Sequence, residues 1–148
     1  MSLSDCIRND VVTASPEGSV EDIAQLMDLR NVGSVIITRN ERPVGIVTDR
    51  DLVIRVTARD KDPKFTSISD IMTRDPLVIR EEDSISDVMS CVREMKVRRL
   101  PVVDENECLV GIVSLDDVVS ELVEEMNAVN AVISSRCQVR CRNIFFVL

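Results

Sequence analysis

The sequence predicts a mixed α/β (α+β) fold in which two β-α-β-β-α units pack about a pseudo-twofold axis. Three observations lead to this expectation. The chain repeats itself at a constant offset, each copy has an apolar run at helical spacing behind a serine, and each copy then has two runs rich in Val and Ile. One unit of roughly 60 residues buries little apolar surface, so we expect the two copies to pack together.

Matched residues along most of the chain carry the repeat. The matched pairs are Ser4 with Ser69, Asp5 with Asp70, Asp10 with Asp75, Glu17 with Glu82, Ser19 with Ser84, Asp22 with Asp87 and Val32 with Val97. One inserted residue near Cys108 shifts the register, and GIVTDRDLV from Gly45 then matches GIVSLDDVV from Gly111. Two copies of one unit explain this agreement better than chance does.

Each copy predicts the same order of elements. A short apolar strand comes first, at Val11–Val12 in copy one and Leu77–Ile79 in copy two. Ser19 and Ser84 then stand at N-cap positions ahead of amphipathic helices. Two β-rich runs follow in each copy, around the turns RNERP and DENEC, and they predict hairpins with loops of several residues. A second helix closes each copy, over about 49–58 and 115–127.

The chain therefore divides into four segments. Copy one covers 4–58, a polar linker covers 59–68, copy two covers 69–127, and a tail covers 128–148. In the tail, Cys137 and Cys141 supply two thiolates, half of a tetrahedral zinc site, so we expect no metal within one chain. We expect the apolar end, 143–148, to pack on the module or on a partner chain.

Composition excludes several classes of function. The net charge of −8 argues against nucleic-acid binding, which depends on Lys and Arg, and no apolar run is long enough to cross a membrane. The start of the chain lacks the features of a secretory signal, which predicts a cytoplasmic protein with reduced cysteines. The absence of histidine removes the commonest general base, and no catalytic constellation is visible.

At this point the motifs identify a family. The segments SDIMTRDPLVI, VRRLPVVDENECLVGIVSLDDVV and NVGSVIITRNERPVGIVTDRDLV, with their tandem spacing, resemble a CBS-domain pair, the module named after cystathionine beta-synthase. The resemblance covers about 4–127. It implies a regulatory module that binds adenine nucleotides or related adenosyl compounds between its two copies, and that often stacks into disc-shaped dimers.

The repeated GIV motif ends each second hairpin strand and offers a ligand corner. Thr48 and Ser114 stand at helix N-termini, where backbone N–H groups and a hydroxyl can bind a phosphate. Asp51 and Asp117 follow in the first helical turn, where a carboxylate can accept bonds from two ribose hydroxyls. The same pattern also predicts a capping box with no ligand, and the two interpretations are compatible.

The resemblance implies that the first strand of each copy contacts the adenine base. In this sequence those residues are Val12, Thr13 and Ala14 in copy one, and Val78, Ile79 and Arg80 in copy two. The alternative for each of these side chains is a purely structural role in a core strand.

The two copies differ where a phosphate would lie. Arg98 and Arg99 of copy two stand opposite Gly33 and Ser34 of copy one in the alignment. Arginines can hold phosphate through charge-assisted hydrogen bonds, so we expect Arg98 and Arg99, with Arg50, to bind it and to make two sites unequal. The alternative is that these arginines are solvated surface charges on an acidic chain.

Three functions remain open from the sequence. The favoured one is a non-enzymatic sensor that binds AMP, ADP, ATP or S-adenosylmethionine, requires no cofactor, forms a homodimer and signals to an effector protein through changed packing. The second is a structural dimerisation module with an empty cleft. The third is an enzyme, such as a nucleotide hydrolase that uses the paired acids Asp116-Asp117 and Glu124-Glu125.

Overall fold

A computed structural model describes residues 2–144, with side chains described up to residue 134. Copy one supplies β1, β2 and β3 of a four-stranded sheet, and the first strand of copy two, β4 (Thr73–Arg74), adds the fourth strand beside β3. In this sheet β1 is parallel to β2, and the other pairs are antiparallel. The elements of copy one are α1 (Leu3–Cys6), β1 (Thr13–Ala14), α2 (Val20–Arg30), β2 (Ser34–Arg39), β3 (Arg42–Thr48), α3 (Asp49–Arg55) and a 3₁₀ turn (Thr57–Arg59).

Copy two repeats this plan around the sheet β5-β6-β7. Its elements are α4 (Ile68–Ile71), β4 (Thr73–Arg74), β5 (Ile79–Arg80), α5 (Ile85–Met95), β6 (Arg99–Val103), β7 (Leu109–Ser114) and α6 (Leu115–Ile144). An antiparallel bridge between Arg8 and Ile112 extends this sheet as β4 extends the first. The two copies thus have the predicted α+β plan, and its pseudo-twofold relation is confirmed.

The short helices α1 and α4 are exchanged between the copies. Ile68 and Ile71 of α4 belong to the apolar core of copy one. Leu3 and Cys6 of α1 belong to the apolar core of copy two. Each core is therefore completed by a helix from the other copy, and neither core is intact without both.

The predicted helix starts are confirmed at the side chains. The hydroxyl of Ser19 accepts from the backbone N–H of Asp22, and the hydroxyl of Ser84 accepts from that of Asp87. Each aspartate in return accepts from the backbone N–H of its serine, which completes a capping box. Both helices then end at a residue in the left-handed region, Asn31 for α2 and Lys96 for α5.

Two details of the predicted elements are wrong. The first strand of each copy lies later than expected, at Thr13–Ala14 and Ile79–Arg80, because its parallel partner strand sets the register. The first hairpin has a loop of two residues, Asn40 and Glu41, and the positive φ at both is typical of a type I′ turn. The second hairpin has the longer loop expected.

The end of α6 is the largest departure. The sequence predicts an end near Asn127, where the repeat stops, but the helix continues to Ile144. No Gly or Pro occurs between 115 and 144, so nothing in the backbone chemistry interrupts it. Similarly, α3 ends at Arg55 rather than near 58 and gives way to the 3₁₀ turn. The side chains of Cys137 and Cys141 and the segment 145–148 lie outside the described residues.

Candidate functional site

The two GIV motifs end at equivalent strand-to-helix corners. At the first corner, Thr48 caps α3, and Asp51 Oδ2 accepts from both the backbone N–H and the hydroxyl of Thr48, each at 2.9 Å. At the second corner, Ser114 precedes α6, its hydroxyl donates to Asp117 Oδ2, and its backbone N–H donates to the same oxygen. The capping interpretation is therefore confirmed at both corners.

At each corner the second oxygen of the aspartate meets an arginine. Asp51 Oδ1 lies 3.3 Å from Nε of Arg55, one turn along the same helix. That guanidinium also donates to the carbonyl of Ile71 and the hydroxyl of Thr73, which belong to copy two. Arg55 therefore fastens the first corner to the neighbouring copy.

At the second corner the arginine comes from the far end of the chain. Asp117 Oδ1 accepts from Nε of Arg8 at 2.7 Å. Burial alone would raise the pKa of Asp117, but the hydroxyl of Ser114 and the guanidinium of Arg8 outweigh it and hold this pKa below the usual value. Asp117 is thus a fixed, ionised acceptor whose side chain is only 15% exposed.

A cavity of about 320 Å³ opens at this second corner, between the two copies. Its size lies at the lower end of the range typical of small-molecule sites. The residues that line it are Arg8, Asp10, Val11, Val12, Asn31, Val32, Gly33, Ser34, Ile36, Arg99, Ile112, Ser114, Asp116 and Asp117. The cavity therefore combines apolar walls, an ionised carboxylate, a helix N-terminus and two guanidinium groups.

The cavity brings together four of the residues selected from the sequence, namely Val12, Ser114, Asp117 and Arg99. Val12 comes from copy one and the corner from copy two, so the site is shared across the repeat. Thr13 and Ala14 follow Val12 along β1, where Thr13 is exposed and both pair with β2.

Other selected residues lie apart from this cavity. Thr48 and Asp51 form the equivalent corner of copy one, which this cavity does not include. On the copy-two strand, Ile79 is buried in the core, Val78 is 38% exposed, and the backbone N–H of Arg80 donates to Asp83. Ile79 is therefore surrounded as a core-strand residue would be, which was the alternative to a contact with the base.

The three arginines selected as phosphate ligands are placed differently from one another. Arg99 lines the cavity. Arg98 is exposed, and its guanidinium lies 3.1 Å from Asp116, an ion pair on the rim. Arg50 is exposed in the first turn of α3 and belongs to the other corner.

Sequence reasoning missed three polar residues of the cavity, Arg8, Asp10 and Asn31. Asp10 gave a signal, because it matches Asp75 in the repeat. Arg8 gave none, because its matched position holds Thr73, and its role depends on the exchange of α1 between copies.

Two further features concern the described part of the chain. No helix there is long and apolar enough to cross a membrane. No group of three or more His, Cys, Asp or Glu side chains among the described residues is arranged to hold a metal ion.

This chain is similar in sequence to one protein family and to several individual proteins. A family model described as CBS domain matches residues 3–57 and 68–124. Protein MK0525 of Methanopyrus kandleri is 35% identical over 80% of this chain and 61% of its own length. The CBS domain-containing protein YhcV of Bacillus subtilis is 34% identical over 79% of this chain and 82% of its own length. The chain thus spans less than two thirds of the first relative and most of the second.

Similar stretches also occur inside longer enzymes. Inosine-5'-monophosphate dehydrogenase of Thermoplasma acidophilum is 32% identical over 77% of this chain, a match that covers 22% of the enzyme. This chain corresponds to a minor part of that protein.

Solved structures share the architecture. The CBS domain structure NE2398 is 32% identical with a TM-score of 0.70, over 78% of this chain and 89% of that one. The CBS domain pair of MJ0100, in complex with 5'-methylthioadenosine and S-adenosyl-L-methionine, has a TM-score of 0.73 at 24% identity, over 82% and 98%. The Pyrobaculum aerophilum protein PAE2072, complexed with AMP, has a TM-score of 0.71 at 23% identity, over 79% and 89%. Because MJ0100 and PAE2072 are less than 25% identical to this chain, their similarity to it is one of fold.

Proposed function

This chain belongs to the CBS domain family, and on that premise we propose that it is a non-enzymatic regulatory module that binds an adenosyl ligand in the cavity at the Ser114–Asp117 corner. The observation that carries the proposal is Asp117, an ionised and largely buried carboxylate at a helix N-terminus that faces a cavity between two copies. The ligands named for two structural neighbours, AMP and S-adenosylmethionine, support adenosyl compounds as the class.

The base has apolar walls to bind against. Val11 and Val12 line one side of the cavity, and Val32, Ile36 and Ile112 line the rest. A planar heterocycle gains from burial between aliphatic side chains, with hydrogen bonds to backbone groups at its edge. Val12 directly precedes β1. Its carbonyl accepts a hydrogen bond from the N–H of Ile36 at 3.0 Å, which fixes the position of Val12 beside β2.

The ribose would bind Asp117. A carboxylate accepts hydrogen bonds from two neighbouring hydroxyls, and Asp117 already stands ionised, so no proton has to leave when the ligand arrives. Asp117 Oδ1 is held by Arg8, so the sugar has to displace this exposed guanidinium or share the oxygen with it.

The charges of the cavity limit the number of phosphates. Among the described residues that line it, Asp10, Asp116 and Asp117 carry negative charge, and Arg8 and Arg99 carry positive charge. Two guanidinium groups suffice for one phosphate, but each additional phosphate adds repulsion from the carboxylates. We expect this site to prefer AMP or S-adenosylmethionine over ATP.

A second, weaker site is proposed at the equivalent corner of copy one. Thr48 and Asp51 would take the roles of Ser114 and Asp117 there, with Arg50, exposed in the first turn of α3, near the phosphate. Arg55 already forms an ion pair with Asp51, and it donates two further hydrogen bonds to Ile71 and Thr73 of copy two. Displacing Arg55 would break more contacts than displacing Arg8, so we expect the two sites to be unequal.

Ligand binding could signal through the exchanged helix. Arg8 follows α1, and α1 packs into the core of copy two. A ligand that takes Asp117 from Arg8 would alter how this segment is held, and a homodimer partner or an effector protein would read the change. Such a shift requires that the ligand prefers one arrangement of the copies over another.

Thermal unfolding with a ligand panel tests the proposal. Nucleotide-free protein is heated with AMP, ADP, ATP, S-adenosylmethionine and NAD, with GMP as the control for the base. A bound ligand at about one hundred times its Kd stabilises the fold by about 2.7 kcal/mol, which is readily detected. We expect AMP or S-adenosylmethionine to raise the melting temperature and GMP to leave it unchanged. A flat response to the whole panel would favour a structural dimerisation module instead.

A further inference from the structure

The long helix α6 leaves the body of the protein part way along its length. It runs from Leu115 to Ile144, but beyond Glu121 every side chain as far as Ser134 is exposed. A single helix of this kind is marginally stable in water when nothing packs against it. The projecting part of α6 therefore needs a surface to pack on.

One face of this helix is apolar. The stripe, defined as Val119, Leu122, Met126, Val129 and Ile133, has residues spaced alternately three and four apart, and each is between 40% and 64% exposed. This spacing is the a and d pattern of a coiled coil, in which two helices bury such a seam against each other. Asn127, Ala128, Asn130 and Ala131 separate members of the stripe, and two further exposed apolar residues, Val123 and Val132, flank it.

Charge along α6 is strictly divided. The acidic residues come first, at Asp116, Asp117, Glu121, Glu124 and Glu125, and the basic residues come last, at Arg136, Arg140 and Arg142. Two such helices side by side in parallel would place acid beside acid and base beside base. Two antiparallel helices would place the acidic half of each beside the basic half of the other, which is the favourable arrangement.

We propose that α6 pairs with α6 of a second copy of this chain as an antiparallel two-helix coiled coil. The best apolar overlap centres between Met126 and Val129, where Met126 of one copy faces Val129 of the other. Leu122 then faces Ile133, so four consecutive layers of the seam are apolar. In the same register the basic end of each helix lies beside the acidic first turns of its partner. This pairing is independent of the nucleotide proposal and extends past the repeated unit.

The apolar seam is tested with Met126→Glu combined with Val129→Glu in the full chain. Ala128→Glu combined with Ala131→Glu is the matched control, because it adds the same charge to the same turns outside the stripe. Analytical ultracentrifugation measures the assembly mass. We expect the stripe variant to have half the mass of wild type and the control to keep the wild-type mass. Equal masses for the two variants, or a wild-type mass already equal to one chain, would overturn the proposal.

The orientation is tested by charge reversal at low salt. In the proposed register Glu121 of one helix lies within one turn of Arg136 of the other. The first variant is Glu121→Lys, the second is Arg136→Glu, and the third combines the two changes. In an antiparallel pair each reversal places like charges together and should raise the Kd of self-association about tenfold, while the combination should recover most of the loss. Reversals that leave the Kd unchanged, or a combination that binds no better than its parts, would contradict the antiparallel arrangement.

Discussion

Arg8 and Asp117 are 109 positions apart in sequence, yet Nε of Arg8 donates to Oδ1 of Asp117 at 2.7 Å. The contact exists because the segment after α1 crosses to copy two, where the backbone of Arg8 pairs with Ile112 through two hydrogen bonds of 3.0 Å. Ser114 holds the other oxygen of Asp117. Both oxygens of the proposed ribose acceptor are therefore occupied by protein groups before a ligand arrives.

Arg8→Ala should change the preference of the site between two ligands. The variant removes a competitor for Asp117 Oδ1, which favours adenosine, and it also removes a cation from the cavity, which disfavours the phosphate of AMP. We expect the ratio of AMP affinity to adenosine affinity to fall by about 3- to 10-fold, the range for an ordinary hydrogen bond, because Arg8 is largely exposed and its charge is screened. Calorimetric titration with both ligands measures it.

Arg39→Ala is the matched control for this change. Arg39 also pairs with a carboxylate, Glu17 at 2.6 Å, but it does not line the cavity. The control should leave the affinity ratio at its wild-type value. A ratio that stays constant in Arg8→Ala, or that falls equally in the control, would remove Arg8 from the site.

The glycines of the two GIV motifs should differ in their tolerance of alanine. At both positions the exchanged segment passes close to the strand. A methyl group at Gly45 would meet the side chain of Met72, which is flexible and can move aside. A methyl group at Gly111 would meet Ile7 and also the carbonyl of Arg8 at 3.0 Å, which is backbone held in a bridge.

We therefore expect Gly111→Ala to lower the free energy of unfolding by about 1–3 kcal/mol, and Gly45→Ala to lower it by less. Chemical denaturation of the two variants checks the order. Gly111→Ala should also weaken AMP binding, because it displaces Arg8. An equal cost at both glycines would mean that the backbone near Arg8 adjusts freely.

The stability of the protein should depend on the ionisation of Asp117 at low pH. Its pKa in the folded protein lies below the ordinary value of 3.8. The stabilisation is therefore present above about pH 4 and is lost as the pH falls through the folded-state pKa, because protonation removes the ion pair with Arg8 and the bond from Ser114. Asp117→Asn should remove this part of the acid dependence, so its stability should approach that of wild type as the pH falls. Urea unfolding between neutral pH and acid measures this difference, and a gap that stays constant would show that Asp117 does not titrate in that range.

Much of the fold could be predicted from residues that act locally. The serine and aspartate of each capping box act within one helical turn, so the sequence alone located the helix starts at Ser19 and Ser84. The repeat itself revealed the two equivalent corners, because Thr48 and Asp51 match Ser114 and Asp117.

What escaped prediction depends on contacts between distant segments. The four-residue helices α1 and α4 are too short to show a periodic pattern, and only their packing on the opposite core stabilises them. Arg8 joins the cavity only because α1 crosses over. The extension of α6 was missed for a different reason: the repeat stops near Asn127, but a helix stops only where the chain chemistry or packing ends it.

The central claim, that Asp117 binds ligand and does not merely cap α6, is tested most directly by calorimetric titration of AMP into three nucleotide-free proteins. These are wild type, Asp117→Asn, and Asp87→Asn, which breaks the same kind of capping box on α5 outside the cavity. We predict that Asp117→Asn weakens AMP binding at least about tenfold, the loss expected for a charged acceptor. We predict that Asp87→Asn leaves the affinity unchanged. Equal AMP affinities in all three proteins, or no binding to wild type, would contradict the account.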